Sequence, residues 1–196
     1  GTIMTTSGKL VQAIGARLTG IIKTSPIRGI MKSIEADRGV ILDKADARID
    51  QVEGVKRAID SGCRRVAVSV ASFQAKAISE IRDFEASAKA DVLIFSGCNT
   101  CASNGNVKHI AKADIACASA SKLLRTKIAP KAVLQLGMTI PVFALTEKGK
   151  RLVLAYLANF KDKLVVFRTS KLPSLEEDIG PRLRDMQGTK PLTCGR

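Results

Sequence analysis

The sequence predicts an α/β fold: an open, mostly parallel sheet with helices on both faces, a three-layer arrangement of the Rossmann-like kind. Three observations predict it. Short apolar runs alternate with longer amphipathic ones along most of the chain, as strands joined by right-handed helical crossovers do. The strand-like runs are nearly continuous in apolar residues, as in ADVLIF (90–95), which suits a sheet covered on both faces. A chain of 196 residues with 45% hydrophobic content can bury one sizeable core.

The elements follow in order. SGKLVQAIGARLTG (7–20) places Leu10, Val11, Ile14 and Leu18 at helical spacing. SPIRGIMKSIEAD (25–37) reads as a helix with Ser25 as N-cap and Pro26 at the first helical position. GVILD (39–43) is strand-like, DQVEGVKRAIDSG (50–62) a helix stopped by Gly62, and RRVAVSVAS (64–72) a strand. QAKAISEIRDFEASA (74–88) is a helix and ADVLIF (90–95) a strand. NGNVKHIAKA (104–113), DIACAS (114–119) and ASKLLRTKI (120–128) read as helix, strand and helix. AVLQLG (132–137) is ambiguous between strand and irregular connection. IPVFAL (140–145), EKGKRLVLAYLANF (147–160) and KLVVFRT (163–169) read as strand, helix and final strand. Residues 1–169 are therefore expected to form a single domain. Residues 170–196 hold three of the six prolines without periodicity, and read as an irregular tail that wraps the domain or packs on a partner. GTIMTT (1–6) reads as the end of a strand begun upstream, the mark of a processed or truncated N-terminus.

The formal charge is +14, but Lys and Arg are scattered over nearly every helical stretch. The densest spots are CRR (63–65), EKGKR (147–151) and KDK (161–163). A nucleic-acid footprint would gather this charge on one face and add aromatic stacking residues. One Tyr and no Trp supply none of that, so a solvated surface is favoured over nucleic-acid binding. No apolar run approaches the roughly 18 residues of a bilayer span, and no signal peptide is recognisable. Five irregularly spaced cysteines do not form a secreted disulfide framework. The expected setting is the cytoplasm, with no membrane partner.

Three stretches carry a resemblance. GKLVQAIGARLTGIIKTSPI (8–27), GVILDKADARIDQVEGVKRAIDSGCRRVAVSVA (39–71) and IPVFALTEKGKRLVLAYL (140–157) resemble the methanogenesis marker protein 8 family of methanogenic archaea. ARIDQVEGV is the most recognisable block. The resemblance implies an anaerobic cytoplasm and a link to methanogenesis; it implies no reaction and no cofactor. It also implies that an N-terminal part of the family, bearing cysteine and histidine, is absent here.

In an open parallel sheet, ligands bind beyond the carboxyl ends of the strands. Those ends carry Asp43, the SGCNTC turn (96–101) with Asn99 and Thr100, Ser119 with Ser121, and Thr146 with Glu147. Thr24 and Ser25 precede another helix, where KTSP could hold an anion between Lys23 and the helix start. Ser, Thr and Asp are also ordinary helix caps, which explains each residue singly without function. In DKADARIDQVEG (43–54), Asp50 and Glu53 stand at capping-box spacing, and Arg48 can pair with Asp46 or Asp50. Asp43 is the acid left over, and the best single candidate for a ligand contact or general base. No GxGxxG or Walker-type loop occurs.

Cys98 and Cys101 form a CxxC pair, with Cys117 able to join them if the two strands are neighbours. His109 completes a formal zinc set, but five helical residues carry it about 7 Å from the cysteine edge. Three thiolates could hold an iron–sulfur cluster, and a cysteine near a helix start could do redox chemistry. A plain small-residue turn is the favoured alternative; Cys63 reads as packing and Cys194 as tail.

Three functions remain open. One is an α/β protein binding a small anionic metabolite or cofactor at the carboxyl edge. The second is a non-catalytic assembly or maturation factor acting on a methanogenesis enzyme, or through a second copy of itself. The third is an iron–sulfur or thiol-redox protein using Cys98 and Cys101.

Overall fold

The computed structural model describes residues 1–15, 24–166 and 168–169. Lys23, the second half of the 7–20 helix, and the 170–196 tail with Cys194 lie outside the described residues. The chain divides into two compact units, Gly1–Val68 with Glu80–Val92, and Ser69–Ser79 with Leu93–Arg196.

The first unit opens with β1 (Ile3–Met4), paired antiparallel to β2 (Val40–Ile41) in a separate two-stranded sheet. The 39–43 run therefore does not join the main sheet as expected. It is too short and one-sided for a covered central strand, and Val40 is exposed. Thr2 carries the contact onward: its N–H donates to the Arg48 carbonyl and its carbonyl accepts from Leu42 N–H. Between the strands, α1 (Gly8–Leu10) is capped by the Ser7 hydroxyl and continues as a π-helical turn, Val11–Gly15. Next, α2 (Arg28–Ala36) begins later than the sequence suggests. Its N-cap is Ile27, held extended, with no side-chain cap bond. Ser25 is thus not the cap, because Pro26 sits before the helix and not at its first position. α3 (Gln51–Asp60) starts as expected, with the Asp50 carboxylate accepting from Glu53 N–H at 3.0 Å. Leu10, Ile34, Val55, Ile59, Ile81 and Val92 are buried in this unit.

The main sheet is open, five-stranded and mostly parallel, flanked by helices. Its strands are β3 (Arg65–Ala71), β4 (Asp91–Gly97), β5 (Ile115–Cys117), β6 (Leu134–Leu136) and β7 (Val142–Ala144), in the order β3-β4-β5-β7-β6. The intervening helices are α4 (Lys76–Ala88), α5 (Asn104–Ile110), α6 (Lys122–Lys127) and α7 (Glu147–Ala158). β4 and β5 pair in parallel, with Phe95 opposite Ile115. β7 runs antiparallel to both β5 and β6. So β4, β5 and β6 share one direction, and β7 is reversed.

The ambiguous AVLQLG run is the cause. It forms β6, and only residues 137–141 separate it from β7. A parallel crossover needs a dozen residues or so; five can make only a hairpin. Gly137, at φ +76°, supplies the left-handed turn. The expected final strand at 163–169 does not form: its described residues carry no regular structure, and Val165 and Val166 are 89% and 77% exposed. Ile115, Ala144 and Val153 form a buried cluster, with Phe95, Leu134, Leu136, Val142 and Leu157 packed around it.

Candidate ligand site at the carboxyl edge of β4 and β5

Side-by-side parallel strands bring their following turns together. The β4 turn and the β5 turn do meet. Asn99, fully buried, is the joint. Its Nδ2 donates to the Ser96 carbonyl at 3.1 Å and to the Cys117 carbonyl at 2.9 Å. Its Oδ1 accepts from the Ser96 hydroxyl, and its backbone N–H donates to Ser119 Oγ at 3.1 Å. The Ser119 hydroxyl lies 3.9 Å from Cys117 Sγ. Ser72 Oγ donates to the Cys98 carbonyl.

Two residues here adopt left-handed backbone without being glycine: Cys98 at φ +52° and Ser119 at φ +50°. Such residues cost about 1–2 kcal/mol each relative to glycine. They persist only where their surroundings over-determine them.

Arg125 of α6 supplies the second joint, a role that nothing in its sequence setting marks. It is 4% exposed. Its Nη2 donates to the Thr139 carbonyl at 2.7 Å and the Ser119 carbonyl at 3.3 Å, and its Nη1 to the Met138 carbonyl. Burial holds its pKa below the ordinary arginine value, and charge interaction with Cys117 opposes that. The Ala118 N–H adds a bond to the Pro141 carbonyl at 2.8 Å. The β6–β7 turn, residues 137–141, is therefore the third wall of this edge. In sequence LLRTK reads as an ordinary helical surface, and GMTIP as the entry to a strand.

The other sequence candidates fall elsewhere or into structural roles. Ser121 is buried and caps α6, accepting from Leu124 N–H at 3.3 Å. Thr100 is partly exposed in the β4 turn, beside exposed Cys101. Thr146 and Glu147 were expected on this same edge, and they are not there. β7 is reversed, so its end lies by the start of β5. There Thr146 caps α7 through Gly149 N–H, and its hydroxyl donates to Asp114 Oδ1 at 2.7 Å. Asp114, 1% exposed, also accepts from Ile94 N–H at 2.8 Å. Glu147 is exposed and lies 3.6 Å from Lys150.

In the first unit, Asp43 Oδ1 accepts from Ala45 and Asp46 N–H at 3.1 and 3.0 Å. The Asp46 bond above all, then the other backbone donors and the charge of Arg48, lowers its pKa below the ordinary carboxylate value. That makes Asp43 a turn cap and a weaker base than the sequence reading supposed. Arg48 lies 3.6 Å from Asp50. The Thr24 hydroxyl donates to the Ala47 carbonyl at 2.6 Å, and Ser25 is exposed.

Among the described residues, no group of three or more His, Cys, Asp and Glu side chains converges as a metal-ligand set. His109 Nδ1 lies 2.8 Å from Ser79 Oγ. No described helix is long and apolar enough to cross a membrane.

Residues 1–158 match the profile of a family described as an uncharacterised protein conserved in archaea, DUF2099. An uncharacterised protein of Methanocaldococcus jannaschii, MJ0054, is 36% identical over 179 residues. That alignment takes in 91% of this chain and 61% of the relative, so the chain spans about three fifths of the relative's length. No solved structure matches.

Proposed function

The chain belongs to the uncharacterised archaeal family DUF2099, and we propose that it binds a small anionic metabolite or cofactor at the edge formed by the turns after β4 and β5 and the 137–141 turn. The observation that carries this reading is the pair of strained residues, Cys98 and Ser119, at adjacent strand ends. Left-handed backbone at a non-glycine residue clusters at functional sites. This pair is braced by two buried polar side chains, Asn99 and Arg125. The edge is also where open α/β sheets bind ligands. Arg125 places a buried positive charge behind it, which favours an anion. In this reading Thr100 and Ser119 contact the ligand. The methanogen source of the relative supports a role in methanogenesis, in the cytoplasm, as a marker protein of that metabolism.

The test is a screen of phosphorylated and carboxylated cofactors by thermal shift, confirmed by calorimetry, together with mass spectrometry of anaerobically purified protein. Ser119→Gly relieves the strain and removes the hydroxyl, so it should keep stability within about 1 kcal/mol while weakening binding at least tenfold, about 1.4 kcal/mol. Thr100→Ala should weaken it about fivefold. Asp43→Ala and Thr146→Ala should leave affinity within twofold. A ligand whose affinity ignores Ser119 and Thr100 would place the site elsewhere.

A further inference from the structure

Cys98 and Cys117 stand at the ends of neighbouring parallel strands, and the anion reading uses neither sulfur. Ser96 is paired with Ala116. One step on, Gly97 stands beside Cys117, and Cys98 follows Gly97. With strands about 4.8 Å apart and a rise of about 3.3 Å per residue, the two Cα atoms lie about 6 Å apart. Disulfides span roughly 4.4–6.8 Å between Cα atoms. Side chains alternate along a regular strand, which would send Cys98 and Cys117 to opposite faces. Cys98 breaks that alternation: its φ of +52° turns its Cβ about half a turn from the strand direction.

A short chain of bonds ties the same two residues. Asn99, next to Cys98, donates through Nδ2 to the Cys117 carbonyl at 2.9 Å and through its N–H to Ser119 Oγ at 3.1 Å. That oxygen lies 3.9 Å from Cys117 Sγ. Both cysteines are half-buried, within reach of a small molecule. Cys101 is placed differently. Ala102 N–H donates to the Asn99 carbonyl at 3.0 Å, so Cys101 occupies an exposed turn. α5 starts only at Asn104, after the Ser103 cap. The spacing that makes a redox pair at a helix start has no helix under it here.

We propose that Cys98 and Cys117 are a reversible thiol–disulfide couple that exchanges with a low-molecular-weight disulfide. The couple needs no anion bound at this edge. One protein thiolate attacks a sulfur of the external disulfide, R–S–S–R. Its S–S bond breaks, and the leaving thiolate takes up the proton that the attacking thiol gave up. The second protein thiol then loses its proton and attacks the protein sulfur of the mixed disulfide. The second RS⁻ leaves and takes up that proton. Two protein thiols are thereby oxidised to one disulfide, by two electrons, and R–S–S–R is reduced to two RSH. Excess thiol runs the exchange backwards.

The experiment uses the full chain, reduced and purified without oxygen, with glutathione disulfide as the probe. After alkylation of the remaining thiols, unreduced tryptic peptides are mapped by mass spectrometry. The peptide bearing Cys98 and Cys101 should be linked to the one bearing Cys117, and dithiothreitol should reverse the link. Fragmentation of the linked wild-type peptides should assign the bond to Cys98, so the result does not depend on any variant folding. Cys101→Ser should keep the yield within about twofold. Cys98→Ser should lower it at least about tenfold and stop at the glutathione mixed disulfide on Cys117. Far-ultraviolet circular dichroism checks that each variant is folded. A main product joining Cys98 to Cys101, a link lost in folded Cys101→Ser, or mixed disulfides alone in the wild type would each overturn the proposal.

Discussion

Asp114 and Gly149 depend on each other. The Asp114 side chain ties Ile94 of β4 to Thr146 at the start of α7. Its own carbonyl accepts from Leu145 N–H at 2.8 Å. α7 comes so close to that carbonyl that a Cβ at position 149 would overlap it. Gly149→Ala should therefore destabilise the protein by about 3 kcal/mol, the upper part of the overpacking range, despite alanine's better helix propensity. Urea denaturation checks it; a neutral result would mean that α7 can slide away from β5 freely. Asp43 makes a pH prediction of definite sign. Its folded pKa is depressed, so its stabilisation is complete above the ordinary value of 3.8 and is lost as pH falls through the folded value. Asp43→Ala should lower the urea midpoint at pH 7, and the gap to wild type should close as the titration goes below pH 4.

Among the elements, α3 shows what the sequence made legible. The spacing of Asp50 and Glu53 marked its start, and Asp50 caps it. The reciprocal half of the expected box is absent. Asp50 N–H donates instead to Thr2 Oγ1 at 2.7 Å, while the Glu53 carboxylate pairs with Arg57 at 2.9 Å. Asp50→Ala should cost about 1 kcal/mol by denaturant titration. The β6–β7 hairpin shows what stayed hidden. Strand propensity is visible in residues, but strand direction depends on connection length, and AVLQLG gave too short an apolar run to establish that a strand was there. That one ambiguity moved Thr146 and Glu147 to the wrong end of the sheet. Ser119 and Asn99 could be assigned to one edge because strand ends in a parallel pair follow from topology alone. Arg125 could not, because burial of a basic residue on a short helix leaves no periodic mark. Gly137→Val forces a β-branched residue to φ +76°. It should cost at least about 1–2 kcal/mol, and through the carbonyls of the turn it should also weaken binding at the proposed ligand edge.

Across the whole chain, the +14 charge gives no single basic stripe along the sequence. Attraction to nucleic acid should then be only the diffuse kind set by counterion release. Duplex DNA retained at about 20 mM salt should be released by about 200 mM, with no dependence on base sequence; retention at 200 mM would reopen nucleic acid as a partner. The family match stops at residue 158, the last residue of α7. Every described strand and helix, and the proposed ligand edge, thus lie within the shared region.

Arg125 joins the Ser119 turn to the 137–141 turn before any ligand arrives. A guanidinium buried among carbonyls cannot let go of them cheaply, so these two walls cannot open and close as a gate. Their consequence is kinetic. A ligand bound at this edge as proposed should bind in one step, with an observed rate that rises linearly with its concentration and shows no plateau from a preceding rearrangement. Affinity differences among ligands should then appear in how slowly each one leaves.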